Sequence, residues 1–350
     1  MKHTLVFQSS VNRFRLRTPK HLLTLVALAV GFGLGVHGLS YGLAHLPEAW
    51  TNLLVVSVRN PFVGVFVGML ATSLIQSSSL STSILIALAG SHVLDLHAAL
   101  PMVMGANIGT MLTVTIDALG VRTHRAFFLR ATTLVMLQDL LKLLTAALLL
   151  PLEYFFGCFE WLLRGLVLKS SWVLPLGISP VWAVVLGFSL MFVSLRLWEI
   201  RCRPWVGERL NLTRIFASSR QRIFWEGLLC TWVLQSSAQV VALFIPRLMR
   251  IQISPAHSLP FLMGTNLGTT ITALWAACFV GPVALPLALM HVCFNLISSG
   301  IFLLIPAAER LLVYLATALG KNILHHRLLG FMYIFVVFFV IPFWLILLGR

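Results

Sequence analysis

The chain has 350 residues, of which 59% are hydrophobic and only 10% are charged, and its mean hydropathy is +0.95. This balance excludes an ordinary soluble domain and predicts an all-α polytopic membrane protein, because lipid cannot satisfy open backbone groups. The net charge of +15 lies in short loops between apolar runs, which is typical of the positive-inside pattern and not of nucleic-acid binding. The five widely spaced cysteines show no disulfide or metal pattern, and no cofactor is expected.

The chain begins with a basic segment, residues 1–20, and an apolar run at 21–41 follows. This run is long enough to span a bilayer and lacks the small-residue exit of a cleaved signal peptide. It therefore predicts an extra, uncleaved N-terminal transmembrane helix with a cytoplasmic N-terminus. We expect this first helix and an outer loop to occupy residues 21–58.

A first half of the protein is predicted over residues 59–195. Two short apolar arms, between about residues 60 and 90, flank a Gln-Ser-Ser-Ser motif that begins at Gln76. Neither arm is long enough for a full span, so we expect a re-entrant helical hairpin that enters from outside. Further helices are predicted near 98–119, 126–150 and 172–195, with an interfacial piece at 153–169.

A second half is predicted over residues 222–350, after a basic cytoplasmic linker at 196–221. Its re-entrant hairpin is centred on Gln235 and is expected to enter from inside. Further helices are predicted near 259–280, 282–306 and 328–348, with an interfacial piece at 309–326.

The two halves carry the same motifs in the same register. Gln-Ser-Ser begins at Gln76 and again at Gln235, and Gly-x-Asn-x-Gly-Thr begins at Gly105 and again at Gly264. Both separations are 159 residues (235 − 76 and 264 − 105). The chain is therefore predicted to contain an internal duplication, in a unit much longer than a solenoid repeat.

The charged loops indicate how the two halves are oriented. Between its two motifs the first half has Asp95 and no Lys or Arg, whereas the second half has Arg247 and Arg250. After the second motif the bias is reversed, because three arginines lie between residues 122 and 130 while 281–284 is uncharged. Equivalent loops are therefore predicted on opposite sides of the membrane, as in the inverted-topology repeats of secondary transporters.

Both motifs place polar groups inside apolar segments, where such groups need partners. Inward-pointing helix N-termini favour an anion, whereas hydroxyl and amide oxygens favour a hard cation such as sodium. Isolated Ser, Thr or Gly residues would suit helix packing, but the duplication favours two halves of one midplane site. Additional hydroxyls lie close to the second motif, at Thr113, Thr115, Thr270 and Thr272.

Together with His291-x-x-Phe294-Asn295, these motifs resemble the type II sodium/phosphate cotransporter family, in its short bacterial form, over roughly residues 60–306. The resemblance implies sodium-coupled symport of inorganic phosphate by alternating access in a bacterial inner (plasma) membrane. It implies phosphate binding at the two hairpin tips, by Gln76, Ser77, Ser78, Ser79, Gln235, Ser236 and Ser237. It implies sodium binding by Asn107, Thr110, Thr113, Asn266, Thr269 and Thr270. The expected partners are phosphate, sodium and the lipid bilayer, and a homodimer stays open.

The chain departs from the family pattern at two places. Ala238 stands where a third serine is expected, and the segment 138–142 reads Gln-Asp-Leu-Leu-Lys in place of His-Asp-x-Phe-Asn. Asp117 is a candidate coupling acid, because intramembrane charges are costly; a structural pairing with Arg122 is the alternative. His291 is expected to be a hydrogen-bonded core histidine and not a metal ligand.

Other functions stay open. A proton-driven carrier, or a carrier of another oxyanion, would fit Ala238 and Asp117. A membrane sensor or scaffold without transport would need an output domain or a long partner-binding tail, and neither is expected here. An enzyme is not expected, because Ser77 and Ser78 have no nearby His/Asp or Ser/Lys arrangement to activate them.

Overall fold

The computed structural model describes residues 19–58, 60–120, 124–163, 165, 174–209, 212–249, 253–341 and 343–344. Most of the predicted basic N-terminus lies outside the described residues, as do Arg122 and Arg250. Parts of four predicted segments also lie outside them, at 164 and 166–169, 172–173, 210–211, and 342 and 345–348. Every regular element in the described part is helical. The all-α prediction is therefore confirmed.

Nine helices precede residue 210 in the described part of the chain. They are α1 (Pro19–Ala44), α2 (Glu48–Ser57), α3 (Pro61–Ile75), α4 (Ser78–Gly90), α5 (Leu96–Gly109), α6 (Met111–Leu119), α7 (Arg125–Phe156), α8 (Cys158–Leu163) and α9 (Pro180–Arg209). The predicted helix near 98–119 is thus divided at Thr110, within the second motif.

The remaining described residues form eight further α-helices. They are α10 (Leu212–Phe216), α11 (Arg220–Leu234), α12 (Ser237–Phe244), α13 (Pro255–Gly268), α14 (Thr270–Val280), α15 (Leu285–Leu304), α16 (Pro306–His325) and α17 (Arg327–Phe335). A π-helical turn, Val336–Val340, continues α17.

Several helical stretches in the described part can cross a membrane by length and composition. Five qualify: Lys20–Ala44, Leu96–Leu119, Arg125–Phe156, Pro180–Glu208 and Pro282–Leu304. The pair α11 and α12 qualifies only when its two helices are taken together, and it is bent by 119° at its break. Helices α3 and α4 are shorter than a span. The chain is therefore a polytopic helical membrane protein.

The helix boundaries repeat with the same separation as the motifs. Helices α3 and α11 begin and end 159 residues apart (220 − 61 and 234 − 75), and so do α5 and α13 (255 − 96 and 268 − 109). The caps repeat as well, because Asp95 accepts a hydrogen bond from the Ala98 N–H and Ser254 accepts one from the His257 N–H. The duplication thus includes the local signals that start and stop helices.

Helix α9 differs from the prediction at both ends. It begins at Pro180 and not near 172, and it continues through residue 196 to Arg209, inside the segment predicted as a linker. Cys202 and Val206 are buried within this extension, and Trp198 lies one turn before them at helical spacing. The linker prediction rested on the charges of this segment, whereas its apolar stripe packs against the protein and extends the helix.

Equivalent helix pairs pack closely in the two halves. Helix α3 packs along α5, and α11 packs along α13. A Cβ atom added to Gly105 would overlap the Val65 carbonyl oxygen, and one added to Gly264 would overlap the Phe224 carbonyl oxygen. Only glycine permits this approach of two backbones, so the second motif has a packing role in both halves.

Candidate functional site

Each Gln-Ser-Ser motif breaks a helix in the same way. Gln76 ends α3 with φ 58° and Gln235 ends α11 with φ 59°, a left-handed conformation that is uncommon for residues other than glycine. The following serines cap the next helices, because Ser77 accepts a hydrogen bond from the Leu80 N–H and Ser236 accepts one from the Gln239 N–H. Two helix N-termini with hydroxyl-bearing first turns result, one in each half.

The two breaks lie side by side in the structure. The Ser79 hydroxyl donates a hydrogen bond of 2.7 Å to the backbone carbonyl of Gln235. The Thr272 hydroxyl lies 3.3 Å from the Ser79 hydroxyl and donates to the side-chain oxygen of Gln235. Ser77 and Ser236 line the same cavity. The structure therefore brings Ser77 and Ser79 of the first half beside Gln235 and Ser236 of the second.

The paired breaks are not equivalent in detail. Gln235 is buried, with 5% of its surface exposed, whereas Gln76 is exposed. The bond from Ser79 has no counterpart, because Ala238 stands at the matching position of the second half. Ser237 is buried and its hydroxyl has no hydrogen-bond partner among the described residues. The site thus combines pseudo-symmetric backbone geometry with different side chains.

The two motif asparagines, Asn107 and Asn266, are buried and each contacts a helix of the other half. The Asn107 amide oxygen lies 3.2 Å from the His291 ring Nε2 of α15. The Asn266 amide oxygen accepts a hydrogen bond of 3.0 Å from the Gln138 side chain of α7. The predicted sodium residues on α5 and α13 are thus joined to the opposite halves, and His291 is confirmed as a hydrogen-bonded core histidine.

Helices α7 and α15 meet at equivalent residues. Gln138 and His291 are 153 residues apart (291 − 138), and the same separation relates Thr145 to Ser298 (298 − 145). Thr145 donates a hydrogen bond of 2.9 Å to the Ser298 hydroxyl. This separation is six residues shorter than that of the motifs (159 − 153), and α7 and α15 contact each other through residues that match in this register.

Three of the four threonines predicted for sodium binding donate to carbonyl oxygens at the ends of α5 and α13. The acceptors are the carbonyl oxygens of Ala106 for Thr110 at 3.0 Å, Asn266 for Thr269 at 2.6 Å and Leu267 for Thr270 at 2.7 Å. Because each hydroxyl proton is turned towards a carbonyl oxygen, the oxygen lone pairs stay available to a cation. Thr113 is half-buried and Asp117 is exposed, so the structure does not bring Asp117 into the buried group.

Two buried threonines were missed by the sequence interpretation. Thr72 and Thr231 occupy equivalent positions (231 − 72 = 159) one turn before the Gln-Ser-Ser breaks. Both hydroxyls are buried without a hydrogen-bond partner among the described residues. Thr72 lies against Gly109 and Thr231 lies against Gly268. Their separation of 159 residues, the same as that of the motifs, could have identified them.

A charged pair in the first half was predicted only as a local ion pair. Asp139 and Lys142 are both buried on α7, one helical turn apart. One carboxylate oxygen of Asp139 accepts a hydrogen bond of 3.0 Å from Thr115. Lys142 occupies the position that matches Asn295 (295 − 142 = 153), so the first half has a buried amine where the second half has an amide.

These features define a class of protein: a duplicated, polytopic helical membrane protein in which broken helices and buried amides of both halves meet. Comparison with known proteins gives the family. The model of the Na+/Pi-cotransporter family matches residues 31–200 and 202–320, and the chain belongs to this family.

Two mammalian relatives illustrate the similarity. The chain is 28% identical over 390 residues to mouse sodium-dependent phosphate transport protein 2A, an alignment of 81% of this chain and 60% of that protein. It is 45% identical over 106 residues to human sodium-dependent phosphate transport protein 2B, covering 30% and 15% of the two chains. The chain thus spans about 60% of the length of the 2A relatives. No solved structure matches it significantly.

Proposed function

We propose that this protein is a sodium-coupled symporter of inorganic phosphate. Its family and the names of its relatives support this function. The observation that carries the proposal is that Ser77 of the first half and Ser236 of the second line one small cavity at the Gln-Ser-Ser breaks. Its volume is about 10 Å³, so the breaks must move apart to admit phosphate.

The chemistry of the paired breaks suits an oxyanion. Two helices, α4 and α12, begin at the breaks with free N-terminal N–H groups and a partial positive charge. Serine hydroxyls add donors that can turn towards a phosphate oxygen. We assign phosphate to Gln76, Ser77, Ser78, Ser79, Gln235, Ser236 and Ser237. The Ser79 hydroxyl gives its one proton to the Gln235 carbonyl and so holds the tips together, which leaves the Ser79 backbone N–H to face the anion.

Sodium is assigned to the neighbouring amide and hydroxyl oxygens. These belong to Asn107, Thr110, Thr113, Asn266, Thr269 and Thr270. Asp117, which is exposed on α6 and lies outside this buried group, stays a candidate coupling acid. Neutral oxygen ligands suit a hard monovalent cation. Coupling follows from charge, because an anion and cations that enter a low-dielectric site together offset each other's desolvation.

The proposed mechanism is alternating access between inverted halves. The helix breaks act as two re-entrant hairpins that approach the midplane from opposite sides, and one bundle moves relative to the other around the site. The opposite charge bias of equivalent loops in the sequence supports this orientation.

The test is uptake of labelled phosphate into proteoliposomes under an inward sodium gradient. Native protein, Gln76→Ala and Gln221→Ala are compared; Gln221 is an exposed glutamine on α11 and serves as the matched control. We expect sodium-dependent uptake that Gln76→Ala abolishes and Gln221→Ala leaves intact, with no uptake when potassium replaces sodium. Sodium-independent uptake would assign proton coupling, and no uptake by folded protein would reject phosphate as the substrate.

A further inference from the structure

The cavity between the two Gln-Ser-Ser breaks contains one ion pair. Besides Ser77, Gln235 and Ser236, it is lined by Arg196 and Glu199 of helix α9. The Arg196 guanidinium lies 3.1 Å from the Glu199 carboxylate. A positive charge therefore lies beside the hydroxyls and helix N-termini that are assigned to the anion.

Helix α9 is hydrogen-bonded to the helix that ends at the second break, and this contact fixes the position of Arg196. The Trp198 indole N–H donates a hydrogen bond of 2.7 Å to the carbonyl of Val233, two residues before Gln235. The Arg196 guanidinium also lies over the Phe192 ring, 5.7 Å from its centre. The arginine is thus held between an aromatic face, a carboxylate and the cavity.

The ion pair leaves part of the arginine open to a second partner. The Arg196 side chain is 40% exposed, whereas that of Glu199 is 14% exposed. A guanidinium presents its donors in a planar fork that matches two oxygens of a carboxylate or of a phosphate equally well. Glu199 therefore stands where a phosphate oxygen could replace it.

We propose that Arg196 binds the transported anion directly, and that Glu199 competes with the anion for the same guanidinium. This inference rests on the proposed function. The neutral hydroxyls and N–H groups of the breaks recognise an oxyanion by shape, whereas Arg196 adds the charge that favours doubly over singly charged phosphate. Glu199 holds the arginine in place between turnovers and weakens anion binding enough to permit release.

The test measures binding of labelled inorganic phosphate to purified protein in the presence of sodium. Arg196→Gln is expected to weaken binding about tenfold, because it removes a charge-assisted contact and leaves the Glu199 carboxylate in the cavity. Glu199→Gln is expected to strengthen binding about threefold, because the competitor is lost. Arg203→Gln is the matched control; Arg203 is exposed on the same helix, and its replacement should leave the affinity unchanged.

Opposite changes in phosphate affinity, weaker in Arg196→Gln and stronger in Glu199→Gln, distinguish a direct role in anion binding from a purely structural role. A purely structural pair predicts that both single variants weaken binding and that the double variant Arg196→Gln/Glu199→Gln restores it; that result would overturn the inference. Native affinity in Arg196→Gln would also overturn it. If Arg196→Gln does not fold, the affinity of Glu199→Gln alone tests the inference. An affinity that is not higher than that of the native protein rejects competition by Glu199. A native protein that binds no phosphate rejects the proposed function itself, and this inference with it.

Discussion

The Ser79 hydroxyl of the first half donates a hydrogen bond of 2.7 Å to the Gln235 carbonyl of the second half. A carbonyl at a helix end has no intrahelical partner, and a break inside an apolar segment cannot rely on water to supply one. The first half therefore satisfies part of the broken backbone of the second half. This bond exists in one direction only, since the matching residue of the second half is Ala238.

Replacing Ser79 by alanine tests the bond between the breaks. The variant leaves the Gln235 carbonyl without this donor, so we expect a loss of about 1 kcal/mol in stability and a raised KM for phosphate. Ser83→Ala is the control, because Ser83 is buried on the same helix but its hydroxyl donates to its own helix, to the Ser79 carbonyl at 2.7 Å. Thermal unfolding in detergent measures the stability of each variant, and uptake kinetics measure its KM. An equal rise in KM for the two variants would contradict a special role for Ser79.

Alanine at either motif glycine should damage the two halves alike. The new Cβ of Gly105→Ala or Gly264→Ala meets a backbone carbonyl, which cannot rotate away as a side chain would, so α3 or α11 must shift. Overpacking of this kind costs about 1–3 kcal/mol. Gly300→Ala on α15 is the control, since nothing lies within 4 Å of its added Cβ. Thermal unfolding should separate the two groups, and a stable Gly264→Ala beside an unstable Gly105→Ala would argue against equivalent packing.

Valine at Thr72 or Thr231 tests whether the unpartnered hydroxyls serve the ion. Valine keeps the shape and removes an unsatisfied buried group, so we expect unchanged or slightly higher stability. If the oxygens ligate sodium, the sodium concentration for half-maximal uptake should rise severalfold in both variants. Thr132→Val is the control, because the Thr132 hydroxyl is buried but bonded to the Phe128 carbonyl at 2.8 Å. An unchanged sodium dependence in both would assign these threonines to structure alone.

Much of the fold is predictable from the sequence, because its signals are local. Apolar length predicts the long helices, and the duplicated Gln-Ser-Ser motif predicts the helix breaks at Gln76 and Gln235. Helix α9 shows where local reasoning fails. Its charges predicted a linker from residue 196, but the helix continues to Arg209 with Cys202 and Val206 buried. Arg196, where this continuation begins, lies beside the breaks.

The site is predictable only in part, because its partners lie far apart in the chain. The motifs identify Asn107 and Asn266, yet the pairing of Asn266 with Gln138 spans 128 residues and that of Asn107 with His291 spans 184. No local pattern specifies such contacts. The unpartnered hydroxyls of Thr72 and Thr231 were missed for a different reason, since a threonine in a membrane helix usually bonds to its own helix.

Equivalent loop residues should be accessible from opposite sides of the membrane. Asp95 and Ser254 are both exposed residues that cap a helix, and they are 159 residues apart (254 − 95). A cysteine at either position removes one capping hydrogen bond, so each variant should lose about 1 kcal/mol of stability. The background must lack the native cysteines, because Cys158 and Cys278 are exposed. In intact cells, an impermeant maleimide should label Asp95→Cys, whereas Ser254→Cys should react only after permeabilisation, since the second half is basic near this loop at Arg247. Labelling of both cysteines from one side would exclude the inverted arrangement, because two copies in parallel orientation expose equivalent loops to the same compartment.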